Sequence, residues 1–134
     1  VHRLLVASRV AERIANAPEI LVPAVKLLGL LGIARAEDFA EVTYFHLLFD
    51  QHELVFGNGC VSESFHPGQQ GWSAFCEDTR QEILELFPDL LTSNFKSFGE
   101  NARHSVKRNE AICLAATLRN CSAESDEDAR AFVV

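Results

Sequence analysis

The sequence contains no methionine, and none of its four cysteines belongs to a C-x-x-C pair. Because a translated reading frame begins with methionine, its absence even from position 1 leads us to expect a processed piece or a fragment of a longer protein. Isolated cysteines disfavour a zinc site built from cysteine alone. Four cysteines in 134 residues also lie far below the density of a disulfide scaffold. The cysteines therefore do not distinguish an oxidising compartment from a reducing one.

The sequence also lacks long apolar runs and an excess of positive charge. No apolar stretch approaches the roughly 20 residues that span a bilayer, and the opening "VHRLLVASRV" is too short and too charged for a secretory signal. There are 12 basic and 19 acidic residues, for a net charge of -7. Since phosphate binding needs clustered lysine and arginine, we expect neither nucleic acid nor a membrane among the partners.

Three common catalytic signatures are missing. There is no G-x-S-x-G motif, and "QHELVF" has Phe56 where the second histidine of H-E-x-x-H would stand. The glycines of "GLLG" enclose two leucines, which is typical of a helix end and not of a phosphate-binding loop. We therefore expect no cofactor.

What is present is a β pattern followed by a helical one. The predicted strands cover residues 1–7, 20–22, 42–49, 52–56 and 60–62. Short helical turns are predicted over residues 9–16 and 24–28. Asp50-Gln51 predicts a hairpin loop, and Asn58-Gly59 predicts the turn into the last strand. That turn favours Cys60 as a strand residue over the alternative, a thiol that attacks its own backbone.

The pattern becomes helical after about residue 72. Helices are predicted over residues 77–86 and 108–118, the second with Ile112, Ala115 and Ala116 inward. A polar linker is expected between them, over residues 92–105. The expected organisation is a partial β domain (1–72), a helical extension packed on it (73–120) and an acidic flexible tail (121–134).

Histidines are the first candidates for chemistry. If Asp50-Gln51 is a two-residue loop, His46 and His52 face opposite sides of the hairpin, and an odd loop length would reverse this. A zinc ion shared by the two histidines is thus the weaker interpretation. For His52 we expect a half-buried side chain that is hydrogen-bonded to a neighbouring backbone group. The loop "ESFHPGQQGW" is interpreted as a turn on Pro67-Gly68, with a polar site at a strand end as the functional alternative.

The stretch "VTYFHLLFDQHELVFGNGCVSESFHPG" resembles the C-terminal half of bacterial Hedgehog/intein (Hint) domains. That pattern contains a Val-Tyr strand, a histidine, an aromatic-rich strand, an Asn-Gly turn and a short last strand. The matching residues are Val42, Tyr44, His52, Asn58, Gly59 and residues 54–56 and 60–62. The opening "VHRLLV" resembles the family's strand whose histidine assists backbone cleavage, and His2 matches that histidine. With "EILVPAVKLL", "FPDLL" and "ARHSVKRNEAICLA", the resemblance covers roughly residues 1–116.

The resemblance implies a mainly β, horseshoe-like Hint fold with C-terminal helices, and an intramolecular reaction. In the family, a Cys or Ser that opens the domain attacks the preceding carbonyl, and a second nucleophile resolves the thioester or ester. The resemblance implies that His2 polarises or protonates the scissile amide, supported by His46, His52 and Glu63. It also implies that the substrate is the protein's own upstream polypeptide, in a larger secreted or cell-surface bacterial protein.

Two departures from the family pattern shape the expected activity. Inteins end in His-Asn where this sequence has Glu63-Ser64, so asparagine cyclisation is unavailable and one-ended, Hedgehog-like cleavage is expected. The family's nucleophile lies upstream of the His2 strand, so we expect the 134-residue chain to be inert alone.

Two other hypotheses stay open. A non-catalytic binding or structural module on a Hint scaffold fits the missing nucleophile equally well, and the upstream sequence distinguishes it. A metal hydrolase using His2, His46 and His52 is the weakest and is tested by zinc analysis. Because a partial Hint domain exposes sheet edges, homo-oligomers through those edges are also expected.

Overall fold

The computed structural model describes residues 2–30, 33–36, 41, 43, 45–57, 59–73 and 75–121. The chain forms two compact units that interleave along the sequence. The sheet unit comprises residues 1–45, 54–63 and 102–134, and the small unit comprises residues 46–53 and 64–101. The expected segments 1–72 and 73–120 stay a prediction, and the expected acidic tail lies, from residue 122 onward, outside the described residues.

A mixed sheet, five-stranded over the described residues, organises the sheet unit. Its strands are β1 (Arg3–Ala7), β2 (Glu19–Pro23), β3 (Leu54–Gly57), β4 (Cys60–Glu63) and β5 (His104–Ser105). They lie in the order β3-β4-β1-β2-β5, so β1 is the central strand. β5 runs parallel to β2, and the other neighbouring pairs are antiparallel.

Helices and 3-10 turns make up just under half of the remaining described chain. They are α1 (Arg9–Ala15), α2 (Gln69–Trp72), α3 (Glu77–Leu86), α4 (Arg108–Cys121) and the 3-10 turns Ala24–Lys26 and Lys96–Phe98. Helix α3 has the predicted bounds. The predicted helix through Leu28 is wrong, because the amides of Leu27 and Leu30 bond three residues back and make tighter turns. In the described part of the chain, no helix has the length and apolarity needed to cross a bilayer.

The main core lies between one face of the sheet and helices α1 and α4. Its buried residues are Val6, Val10, Ala11, Ile20, Val22, Leu27, Leu30, Val106, Ala111, Leu114, Ala115 and Leu118. On α4 the buried positions recur at helical spacing. The predicted inward position is confirmed for Ala115 but wrong for Ile112, which is 49% exposed, and for Ala116. The packed face is offset by one residue from the predicted one.

The other face of the sheet is also buried, through Leu5, Leu21 and Val61. This explains why β1 and β2 carry continuous apolar runs instead of alternating polar residues. Leu4 lies opposite Val22, and Leu5 lies opposite Leu21, so each cross-strand pair contributes to one face.

An aromatic core holds the small unit together. Ile83, Leu90 and Phe98 are buried, and Trp72, Phe75, Phe87 and Phe95 pack against them. Two edge-to-face ring pairs join these residues, with centroids 5.9 Å apart for Trp72–Phe95 and 5.4 Å apart for Phe87–Phe98. The predicted polar linker over residues 92–105 is therefore wrong, since it supplies core phenylalanines and strand β5.

The predicted hairpin between residues 42–49 and 52–56 is wrong over its described part. Residues 45–49 form no strand, while Val42 and Tyr44 lie outside the described residues. The alternating apolar positions have no buried face to pack on: Phe45 is 84% exposed and Leu47 is 51% exposed. The hairpin forms instead between β3 and β4, where Gly59 adopts φ +72 in the turn.

Candidate functional site

His2 lies just before the central strand β1, and its side chain is exposed. Its carbonyl oxygen accepts a hydrogen bond from the Ala24 amide at 2.9 Å. Since Arg3 lies opposite Pro23, this bond continues the β1–β2 register by one residue. The backbone of His2 is thus held by the sheet while its ring faces solvent.

Arg3, the next residue, forms an ion pair with Glu63 at the end of β4. Nη1 of Arg3 donates to Oε1 of Glu63 at 3.1 Å and to Oε2 at 2.9 Å. The Glu63 side chain is only 9% exposed and that of Arg3 is 31% exposed, so the pair is partly shielded from water. Leu4 lies opposite Ser62, which places Arg3 and Glu63 across from each other on adjacent strands.

Ser64 follows Glu63 and is buried. Its amide donates to the Glu53 carbonyl at 2.9 Å, and its hydroxyl oxygen accepts from the Glu53 amide at 2.9 Å. The two residues stand where the β3–β4 register would place the next pair beyond Leu54 and Glu63. The hydroxyl therefore replaces a backbone carbonyl as the acceptor and extends the pairing by one residue.

Two histidine rings meet in the small unit. His52 is 4% exposed, more deeply buried than the half-buried residue that we predicted. Its ring centroid lies 4.9 Å from that of His66, at an interplanar angle of 88°. His66 Nε2 lies 3.3 Å from the Gly99 carbonyl oxygen, and its ring stacks edge-on against Phe98. Within the small unit, this histidine pair joins the residues around His52 to the loop that contains His66 and to the 3-10 turn Lys96–Phe98.

His46 has an aromatic environment. Its ring centroid lies 5.1 Å from that of Phe65 and 6.0 Å from that of Phe75. The amide of Phe65 donates to the Leu47 carbonyl at 2.7 Å, which holds the two segments side by side. The strand faces that we predicted for His46 and His52 do not exist, because residues 45–49 are not a strand.

The four predicted site residues fall into two groups. His2 and Glu63 belong to the sheet unit, linked through Arg3, whereas His46 and His52 belong to the small unit. Sequence reasoning missed Arg3 altogether. Its sequence signal is a pair of opposite charges at the ends of two strands, 60 residues apart. That signal can be recognised only once the β1–β4 pairing is known.

Two cysteines have thiols whose pKa is shifted in opposite directions. Cys60, in β4, is partly buried, and burial raises the pKa of its thiol. Cys76 precedes α3 and is exposed, and its hydrogen bond with the Thr79 hydroxyl at 3.2 Å lowers the pKa of its thiol. Over the described residues, no group of three or more His, Cys, Asp or Glu side chains is arranged to hold a metal ion.

Comparison with known proteins returned one family. A family model of the Hint domain matches residues 1–69. That span contains strands β1 to β4 and the predicted site residues His2, His46, His52 and Glu63. Comparisons with curated proteins and with solved structures gave no match.

Proposed function

The chain belongs to the Hint domain family, and on that premise we propose that it is part of an autoprocessing domain that rearranges and cleaves its own backbone. A Cys or Ser at the start of the domain attacks the preceding carbonyl carbon, the C–N bond breaks, and the released amine takes a proton. A thiol or water then attacks the resulting thioester or ester and releases the upstream polypeptide. The mixed sheet is, in this proposal, part of a horseshoe-like Hint fold.

The position of His2 is the observation that supports this proposal best. An amide nitrogen is a poor leaving group until it is protonated, and imidazole can supply that proton near neutral pH. The side chain of His2 is exposed, while its backbone carbonyl is held by the Ala24 amide. A catalytic acid needs both properties, because it must reach the scissile bond and still hold one orientation.

Cleavage is proposed to be one-ended. Ser64 has no side-chain amide that could cyclise, and its hydroxyl oxygen already accepts the Glu53 amide. We assign His46 and His52 supporting roles in the same domain, with the upstream polypeptide as substrate. A longer protein that folds but never cleaves would instead be a binding or structural module.

The test uses the longer protein that carries this chain behind its upstream sequence. Mass spectrometry follows the masses of the cleaved pieces with and without added dithiothreitol. We expect thiol-accelerated cleavage, slowed roughly 10²- to 10⁴-fold by His2→Gln, the range that general acid catalysis contributes. His104→Gln is the matched control, because His104 is also an exposed histidine of the sheet unit. A protein with an upstream Cys that stays intact in thiol rules out self-cleavage.

The strand β3 lies at an edge of the described sheet, and we propose that homo-oligomers form through such edges. Sedimentation velocity should then show a species larger than the monomer whose proportion rises with concentration. A monomer at every concentration, with a sharp thermal transition, contradicts this part of the proposal.

A further inference from the structure

We infer that Arg3 is a positioning residue for His2, acting through its ion pair with Glu63. The inference rests on the proposed function, because it concerns how the histidine of that reaction is held. It also changes the role of Glu63, which becomes a partner of Arg3 and not a group that transfers protons.

The first support is the uneven attachment of β1 to its two neighbours. β1 pairs with β2 over five registered residue pairs, but with β4 through the single pair Leu4–Ser62. On the β2 side, the Ala24 amide also holds the carbonyl of His2. On the β4 side, the Arg3–Glu63 ion pair ties the same end of β1 to its neighbour.

The second support is the state of the Glu63 carboxylate. Both of its oxygens accept from one Arg3 nitrogen, and its side chain is 9% exposed. A carboxylate so enclosed offers little access to a substrate backbone. Breaking the pair by removing one partner leaves the other charge shielded from water and without its counter-charge, which destabilises the local geometry more than loss of an exposed pair does.

The third support is the alternation of side chains along an extended strand. His2 continues the β1 register, so its ring and the Arg3 guanidinium leave the backbone on opposite sides of the sheet. Arg3 therefore acts on His2 through the shared backbone. A small displacement suffices, because an error of about 1 Å in a reacting group can slow a reaction roughly 10²-fold.

Charge reversal and its rescue test this inference. Arg3→Glu and Glu63→Arg are made singly and together, and Arg103→Glu is the matched control, since Arg103 pairs with Glu19 elsewhere in the sheet unit. The first readout is the chemical shift of the His2 Cε1–H resonance at one fixed pH in the 134-residue chain, assigned with His2→Gln. The second is the cleavage rate of the longer protein.

We expect each single reversal to change the chemical shift of that His2 resonance and to slow cleavage roughly 10²-fold. The double variant should restore both, and Arg103→Glu should change neither. Arg3→Lys keeps the charge but loses the guanidinium, so a smaller shift in the same direction is expected, and this variant serves if a reversal unfolds the chain. If neither Arg3→Lys nor the reversals change the chemical shift of His2, or if the double variant does not restore it, the inference is overturned.

The two readouts separate the failures. The resonance does not depend on cleavage. If the longer protein stays intact while the reversals shift the His2 resonance and the double variant restores it, the proposed function is contradicted and the positioning role stands. Cleavage that proceeds at an unchanged rate in both single reversals contradicts the positioning role while the proposed function stands.

Discussion

Replacing Ser64 with alanine tests whether the buried hydroxyl is a structural acceptor. The hydroxyl oxygen accepts the Glu53 amide at 2.9 Å, and the Ser64 side chain is almost fully buried. Alanine keeps the hydrogen bond from the backbone N–H of residue 64 to the Glu53 carbonyl. It removes the hydroxyl oxygen that accepts from the Glu53 amide. The Glu53 amide then lacks this partner at the point where the β3–β4 pairing ends.

The expected cost follows from that lost acceptor. A buried donor left without a partner costs about 1–3 kcal/mol of unfolding free energy. Because Glu53 is only half-buried, we place Ser64→Ala near the middle, at about 1.5 kcal/mol. Ser62→Ala is the matched control, since the Ser62 hydroxyl donates to the Val55 carbonyl at a long 3.5 Å. A bond of that length contributes little, so we expect a cost below about 0.5 kcal/mol.

Urea unfolding measures the difference. Circular dichroism follows both units, and the fluorescence of Trp72, the single tryptophan, follows the small unit that contains Ser64. With a slope of about 1.5 kcal/mol per molar urea, Ser64→Ala should lower the midpoint by about 1 M. Ser62→Ala should lower it by less than about 0.3 M. If the two variants have equal midpoints, the hydroxyl does not stabilise the β3–β4 pairing and the reasoning is refuted.

Three further outcomes are expected. Gly59→Ala should lower stability by about 1–2 kcal/mol, because an L-residue is strained at φ +72; thermal unfolding measures it. Leu114→Ala should cost about 2–5 kcal/mol, since this side chain is fully buried on α4; urea unfolding measures it. Iodoacetamide should alkylate Cys76 faster than Cys60 near pH 8, because the thiolate reacts and the pKa is lowered at Cys76 but raised at Cys60; peptide mass mapping measures it.

Matched variants sharpen these outcomes. Gly57→Ala adds a methyl group in equally open space but without a positive φ, so it should leave the melting temperature unchanged or raise it slightly. A drop equal to that of Gly59→Ala would contradict the strain argument. Ile112→Ala, at an exposed position on α4, should cost less than about 1 kcal/mol. As pH falls, alkylation of Cys60 should fade at a higher pH than that of Cys76, and the reverse order would contradict the pKa assignments.

Local patterns predicted the elements whose signals are local. The apolar runs of β1 and β2, the turn at Gly59 and helix α3 each depend on a signal of ten residues or fewer. Strand β5 has only two residues and pairs with β2 across more than 80 residues of sequence, so no local pattern marks it. The strand prediction for residues 45–49 is wrong for the opposite reason. The alternating pattern is strong, but its apolar side chains Phe45 and Leu47 are exposed and have no buried face to pack on.

The candidate site divides in the same way. His2 and Glu63 were named from a family resemblance, and the family is confirmed, but their roles stay predictions. The Arg3–Glu63 pair and the His52–His66 contact depend on which strands and loops become neighbours. Side-chain type alone cannot supply that information, since twelve basic residues and nineteen acids offer many possible partners.

The interleaving of the two units limits where the chain can be truncated. The backbone passes between the units at four places, after residues 45, 53, 63 and 101. A truncation after residue 72 would leave both units incomplete, because it removes β5 and α4 from one and the Ile83, Leu90 and Phe98 core from the other. Useful dissection of this protein must therefore rely on point substitutions or on circular permutants that keep all five chain segments.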